Sequence, residues 1–129
     1  MEVLQIGGVD PELYPLIGPL VMNPKVLKAN NNYPFKTAEN YQWYIAVDQS
    51  EIKGFMPVEE RKSGVIINNY YVLNDNSEIF ELLLNKVKEK GVLTAVVLSK
   101  HVDIFTNLGF NIEHQWRNYV KMICNTTKR

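Results

Sequence analysis

The chain has 129 residues, with 14 basic and 14 acidic side chains and a formal net charge of zero. That length supports a single domain with one core, here spanning residues 1–129, and an apolar fraction of 46% belongs to a folded chain and not a disordered one. The charge balance argues against nucleic acid as a partner, because neutralising phosphates needs a concentrated basic face.

Glu2 to Ile6 reads as a short opening strand, broken by Gly7-Gly8. Asp10-Pro11-Glu12 supplies an N-cap, a proline suited to a first helical position and an acid for the first turn. Leu13, Leu16, Ile17, Leu20 and Val21 follow at helical spacing, but Pro15 and Pro19 predict a short or broken helix. Asn23-Pro24 starts another turn or two through Leu27, ending in Asn30-Asn31-Asn32. Tyr33 to Asn40 reads as loop, with a helical turn expected after Thr37.

Trp43–Val47, Ile52–Val58 and Val65–Leu73 are three runs of aromatic and β-branched residues. The turns Asp48-Gln49-Ser50 and Arg61-Lys62-Ser63-Gly64 join them into an antiparallel meander. Asn74 to Ser77 is a cluster of capping residues, with Asp75 and Glu78 spaced as a capping box. Ile79, Phe80, Leu83, Leu84 and Val87 form a helix stripe that Gly91 stops. Lys86, Lys88 and Lys90 at its end suit the negative end of the helix dipole. Leu93–Leu98 is a near-continuous apolar strand, expected to be buried on both faces. Lys100–Leu108 is a short helix closed by Gly109, and Asn111–Trp116 with Tyr119–Ile123 form a final antiparallel pair.

A single cysteine, Cys124, excludes an internal disulfide and a multi-cysteine zinc site, and reads as a small buried side chain. His101 and His114 lack the companions a metal would need, so no metal is expected. No stretch approaches the roughly 20 apolar residues of a membrane span, and the first ten residues lack signal-peptide character. The expectation is a cytoplasmic protein with no membrane partner. Trp43 and Trp116 read as core or homodimer-interface anchors.

Three signatures in this order resemble the GNAT superfamily of acyl-CoA-dependent N-acyltransferases. They are Trp43-Tyr44-Ile45-Ala46-Val47 followed by Ile52-Lys53-Gly54-Phe55, the strand-cap-helix unit from Val65 to Gly91, and Phe105-Thr106-Asn107-Leu108-Gly109-Phe110. The resemblance implies an α/β (α+β) fold with a mixed, mostly antiparallel sheet of six to seven strands flanked by helices. It implies that acetyl-CoA or another acyl-CoA lies in a V-shaped gap between the third meander strand and Leu93–Leu98. The backbone of Tyr71, Val72 and Leu73 would then hold the pantetheine, and the helix start at Asn76 and Ser77 the pyrophosphate. Ser99 stands where the family often has an asparagine, and Phe105 where many members have a tyrosine acid.

Departures from the pattern bear on chemistry. The phosphate loop of the family is rich in glycine, whereas Leu73 to Ile79 contains no glycine and no arginine. Asp75 and Glu78 place carboxylates where the anion would rest; each would repel a phosphate charge by about 1 kcal/mol even at the dielectric of water. Phe105 cannot donate a proton, so the acid would have to be Tyr71 (or Tyr70), His101 or Thr106. Glu60, with Glu59 beside it, stands either as a general base or as hairpin surface charge next to Arg61 and Lys62. Two functions remain open at this point: acyl transfer to a small-molecule or protein amine, and a GNAT-like ligand- or partner-binding module without turnover.

Overall fold

The structure is a computed structural model and describes residues 1–30 and 34–124; Asn31 and Asn32, in the expected end of the second helix, and Tyr33, the expected start of the loop, lie outside the described residues. Among the described residues, eight strands and four α-helices follow one another: β1 (Glu2–Gly7), α1 (Leu13–Val21), α2 (Pro24–Ala29), β2 (Tyr41–Asp48), β3 (Glu51–Arg61), β4 (Gly64–Ile67), β5 (Tyr71–Val72), α3 (Ser77–Val87), β6 (Leu93–Leu98), α4 (Val102–Asn107), β7 (Asn111–Gln115) and β8 (Tyr119–Cys124). They form one mixed sheet in the order β1-β2-β3-β4-β6-β8-β7, with β5 paired to β3. Among the described strands only β4 and β6 run parallel. The sheet is therefore mostly antiparallel and flanked by helices, as expected.

The strand count exceeds six to seven because the expected third strand, Val65–Leu73, is two strands. Asn68, Asn69 and Tyr70 leave the ladder between β4 and β5. Beyond the break, Tyr71 and Val72 pair only with Phe55 and Gly54 of β3. Gly54 makes that approach possible: a Cβ there would lie 2.7 Å from the Tyr71 carbonyl oxygen. The glycine of Ile52-Lys53-Gly54-Phe55 is thus a packing requirement of β5.

Helices cover the two sheet faces unequally. On one face α3 and α4 enclose the larger cluster, including Met56, Ile67, Phe80, Leu83, Phe105, Phe110 and Met122. On the other, α1 and α2 cover Trp43, Ile45 and Phe55 of β2 and β3. On β6, Leu93, Ala95 and Val97 are buried on the α3/α4 face, while on the other face Leu98 is buried and Thr94 and Val96 are half-buried, so the expected burial on both faces is complete on the first and partial on the second.

Local chemistry accounts for the remaining differences. α1 runs uninterrupted, with Pro15 in its first turn and Pro19 inside it, and it starts at Leu13 after a turn in which the Asp10 carboxylate accepts from the Glu12 amide at 2.8 Å. Asn23 caps α2 by accepting from Lys25 N–H at 2.8 Å. After Thr37 the chain makes a single hydrogen-bonded turn, Tyr41 N–H to the Ala38 carbonyl at 3.1 Å, while the Thr37 hydroxyl donates to the Gly8 carbonyl and accepts from the Trp43 indole. Trp43 is a core residue, while Trp116 is half exposed beside β7. Lys88 donates to the Leu108 carbonyl at 2.6 Å, placing a cation at the C-terminal end of α4 and not of its own helix alone.

Candidate functional site: a cleft bridged by Tyr70

The β4–β6 ladder runs from Val65↔Leu93 to Ile67↔Ala95 and stops. β6 continues for three residues, and β5 turns away to β3, so the two strands splay where the sequence resemblance implies a cleft. The side chain of Tyr70 spans this divergence. Its hydroxyl lies 3.1 Å from the Leu98 amide nitrogen and 2.6 Å from His101 Nδ1, and His101 Nε2 lies 2.9 Å from Asp75 Oδ1. Tyr70 and His101 are each 4% exposed.

Proton directions follow from the partners. Leu98 N–H can only donate, so the Tyr70 oxygen accepts from it and gives its own proton to His101 Nδ1. The histidine is then the Nε2–H tautomer and donates to Asp75. Burial pushes the His101 pKa below its ordinary value, against the opposing pull of Asp75, which matches a neutral ring at neutral pH. Burial also drives the Tyr70 phenol well above its ordinary value. For Asp75, burial raises the pKa, but hydrogen bonds and charge from His101 and Lys100 outweigh it and hold the carboxyl low. With His101 neutral, Lys100, 3.3 Å away, supplies the charge part of that effect near pH 7. The Lys100–Asp75 pair is half exposed and contributes only about 0–1 kcal/mol.

The helix start beside this chain of bonds is also closed. Asn76, and not Asp75, is the N-cap of α3: its side-chain oxygen accepts from Glu78 N–H at 2.9 Å and Ile79 N–H at 3.2 Å. The Asp75/Glu78 capping box does not form because Asp75 is drawn to His101. Asn74 and Asp75 both adopt left-handed backbone, φ +56° and +51°, a conformation that Asn and Asp tolerate better than most residues. They make the tight reversal, closed by Asn76 N–H to the Leu73 carbonyl at 3.2 Å, that feeds β5 into α3.

The expected site residues do not converge. Tyr71 points to the α1/α2 face, its ring 5.6 Å from Phe55, with burial raising its pKa. Val72 is buried in the α3-side core, and Asn76 and Ser77 are exposed at the helix start. Glu60 sits opposite Val65 beside the β3–β4 turn; six residues separate it along β3 from Gly54, about 20 Å at strand rise. It stands at the wrong end of the sheet for the cleft. Ser99 is exposed just after β6, its amide donating to the Asn118 carbonyl at 3.1 Å. Phe105 is fully buried between Tyr70, Phe80 and Phe110 and lines no open surface. Of the expected set, only His101 joins the bridge, and its partners Tyr70 and Asp75 were not singled out together. The polar pair Asn68-Asn69 inside an otherwise strand-like run is the sequence signal of the break that frees Tyr70.

No group of three or more His, Cys, Asp or Glu among the described residues is placed to hold a metal, and no helix among them is long and apolar enough to cross a membrane.

No family model matches the sequence, and no curated protein matches it by sequence. Solved structures do match by shape. ElaA of Escherichia coli aligns over 97% of this chain and 100% of its own, with a TM-score of 0.75 at 11% identity. The aminoglycoside 6′-N-acetyltransferase of Enterococcus faecium aligns over 100% and 99%, TM-score 0.70, at 14% identity. A Bacillus subtilis acetyltransferase solved with CoA aligns over 96% and 97%, TM-score 0.60, at 15% identity. The chain therefore has the GNAT fold, that of an acetyltransferase-like α+β domain. Identities this low establish the fold and leave the chemistry to the site.

Proposed function

We propose that this chain is a binding module built on the acyltransferase scaffold, without acyl transfer of its own. The observation that carries the reading is the Tyr70 hydroxyl seated on the Leu98 amide across the splayed strands. A cofactor arm in that gap would have to displace a buried ring and three linked hydrogen bonds. A pyrophosphate at the helix start would have to displace Asn76 from the two donors it already caps. The residues present thus do not fit CoA. A phenol raised far above its ordinary pKa is also a poor proton donor near neutral pH, so the bridge suits support better than catalysis.

Isothermal calorimetry with acetyl-CoA and with CoA tests this reading. The expected result is no saturable heat up to millimolar ligand. Saturable binding to the wild-type chain would end the proposal.

The retained divergence of β5 from β6 favours a second reading: acyl-CoA-dependent N-acylation, with acetyl-CoA as donor and a small-molecule or protein amine as acceptor. Product formation from acetyl-CoA with a panel of amines, absent without protein, would establish it.

A further inference from the structure

On the sheet face opposite the Tyr70 bridge, the same break in the ladder opens a pocket of about 380 Å³, lined by Pro34, Lys36, Tyr41, Glu59, Arg61, Asn68 and Asn69. That volume lies in the range of small-molecule sites. Strand alternation puts Glu59 and Arg61 on this face while Glu60 turns to the other.

The polar groups form a graded arrangement. Glu59, with 18% of its side chain exposed, accepts from Arg61 Nη2 at 3.0 Å and Asn68 Nδ2 at 3.2 Å on one oxygen, and from Asn40 Nδ2 at 3.4 Å on the other. The Arg61 hydrogen bond, more than its charge or the two amides, holds this carboxyl below its ordinary pKa against burial, so it is ionised. With three donors on it, Glu59 acts as an anchor that orients its neighbours. Asn69 is 5% exposed and donates to the Pro34 carbonyl at 3.1 Å, fixing the break to the pocket's outer wall. Arg61 keeps half of its side chain exposed, with one N–H of five engaged by Glu59. Lys36 also lines the pocket.

We infer that this pocket binds a small carboxylate, which pairs with the outward edge of the Arg61 guanidinium while its carbon skeleton lies against Tyr41 and Pro34. The planar fork of arginine matches a carboxylate with two parallel hydrogen bonds, and the Glu59 anchor removes much of the ordering cost of the side chain. The inference rests on the binding-module reading, but its test uses no CoA, so the two fail separately.

Succinate and benzoate serve as probes, with sodium chloride at matched ionic strength as control. The expected result is a saturable rise in melting temperature with at least one carboxylate, together with shifts of the Asn68 and Asn69 side-chain amide NMR signals. Arg61→Gln, at a half-exposed position that tolerates the change, is expected to weaken binding by about tenfold or more. Arg61→Lys, which keeps the charge and loses the fork, is expected to fall between the two. No rise beyond the chloride control, or a rise that survives Arg61→Gln unchanged, overturns the proposal.

Discussion

His101 accepts a hydrogen bond from the Tyr70 hydroxyl at 2.6 Å through Nδ1 and donates one from Nε2–H to Asp75 at 2.9 Å, so one buried ring joins the β4–β5 break to the turn before α3. The three residues lie 31 and 26 positions apart in sequence, and their bonds hold shut a divergence that the backbone ladder leaves open. Removing one link exposes the others, which makes the arrangement testable.

Tyr70→Phe deletes the hydroxyl and keeps the ring. The Leu98 N–H and His101 Nδ1 are then left without their partner in a buried site. A loss of about 1–3 kcal/mol is expected from urea denaturation, the cost of stranding buried polar groups. A loss near zero would show that the hydroxyl is not holding the gap.

The pH dependence carries a definite sign. The His101 pKa is depressed in the folded state, so the unfolded chain binds the proton more readily. The folded state is favoured above the unfolded value of about 6.5 and loses this contribution as pH falls through that value toward the depressed one. Asp75 acts in the same direction at lower pH, below the ordinary carboxylate value, because its folded pKa is also lowered. Protonating Nδ1 also turns an acceptor into a donor, so the Tyr70 proton loses its acceptor. Denaturation midpoints measured between pH 5 and 8, as the histidine titration of about 6.5 requires, are expected to drop on the acid side. In His101→Phe the overall stability is lower, but that acid-side slope is smaller; an equal slope would remove His101 from the account.

Asn76→Ala separates capping from charge. It is expected to cost about 1 kcal/mol through the lost N-cap and to free Glu78 N–H and Ile79 N–H for an anion. If inorganic pyrophosphate binds the variant better than the wild type, self-capping is what keeps the helix start closed. If it does not, the acidic side chains of Asp75 and Glu78 are the stronger barrier.

The elements were legible in the sequence where local signals were complete. Gly91 and Gly109 end helices in left-handed geometry at φ +104° and +98°, and Leu93–Leu98 is a strand because its apolar run and flanking turns agree. The site was less legible, since its residues answer to distant partners. Tyr70 and Tyr71 have identical strand propensity; only the departure from the ladder at Asn68 sends the first toward His101 and the second toward Phe55. Asp75 has the spacing of a helix cap, yet a buried imidazole 26 residues later claims it and leaves capping to Asn76. Glu59 and Glu60 differ by one position, which in a strand means opposite faces.

Tyr44 offers a test of the core on the α3 side. Its hydroxyl is the one buried side-chain polar atom among the described residues that lacks a hydrogen-bond partner, and the residue is 2% exposed. Burial, then the nearby charges of Glu60 and Glu89, push its pKa up to about 12. An unpaired buried hydroxyl costs about 1–3 kcal/mol, so Tyr44→Phe keeps the ring packing and removes the penalty. The expected outcome is a variant as stable as the wild type or more so, read from urea denaturation at neutral pH. The sign is opposite to that for Tyr70→Phe, although both changes remove one oxygen from a buried tyrosine on the same face of the sheet. A clear destabilisation by Tyr44→Phe would mean that this hydroxyl is satisfied in solution, with an internal water between it and the carboxylates as the first partner to seek.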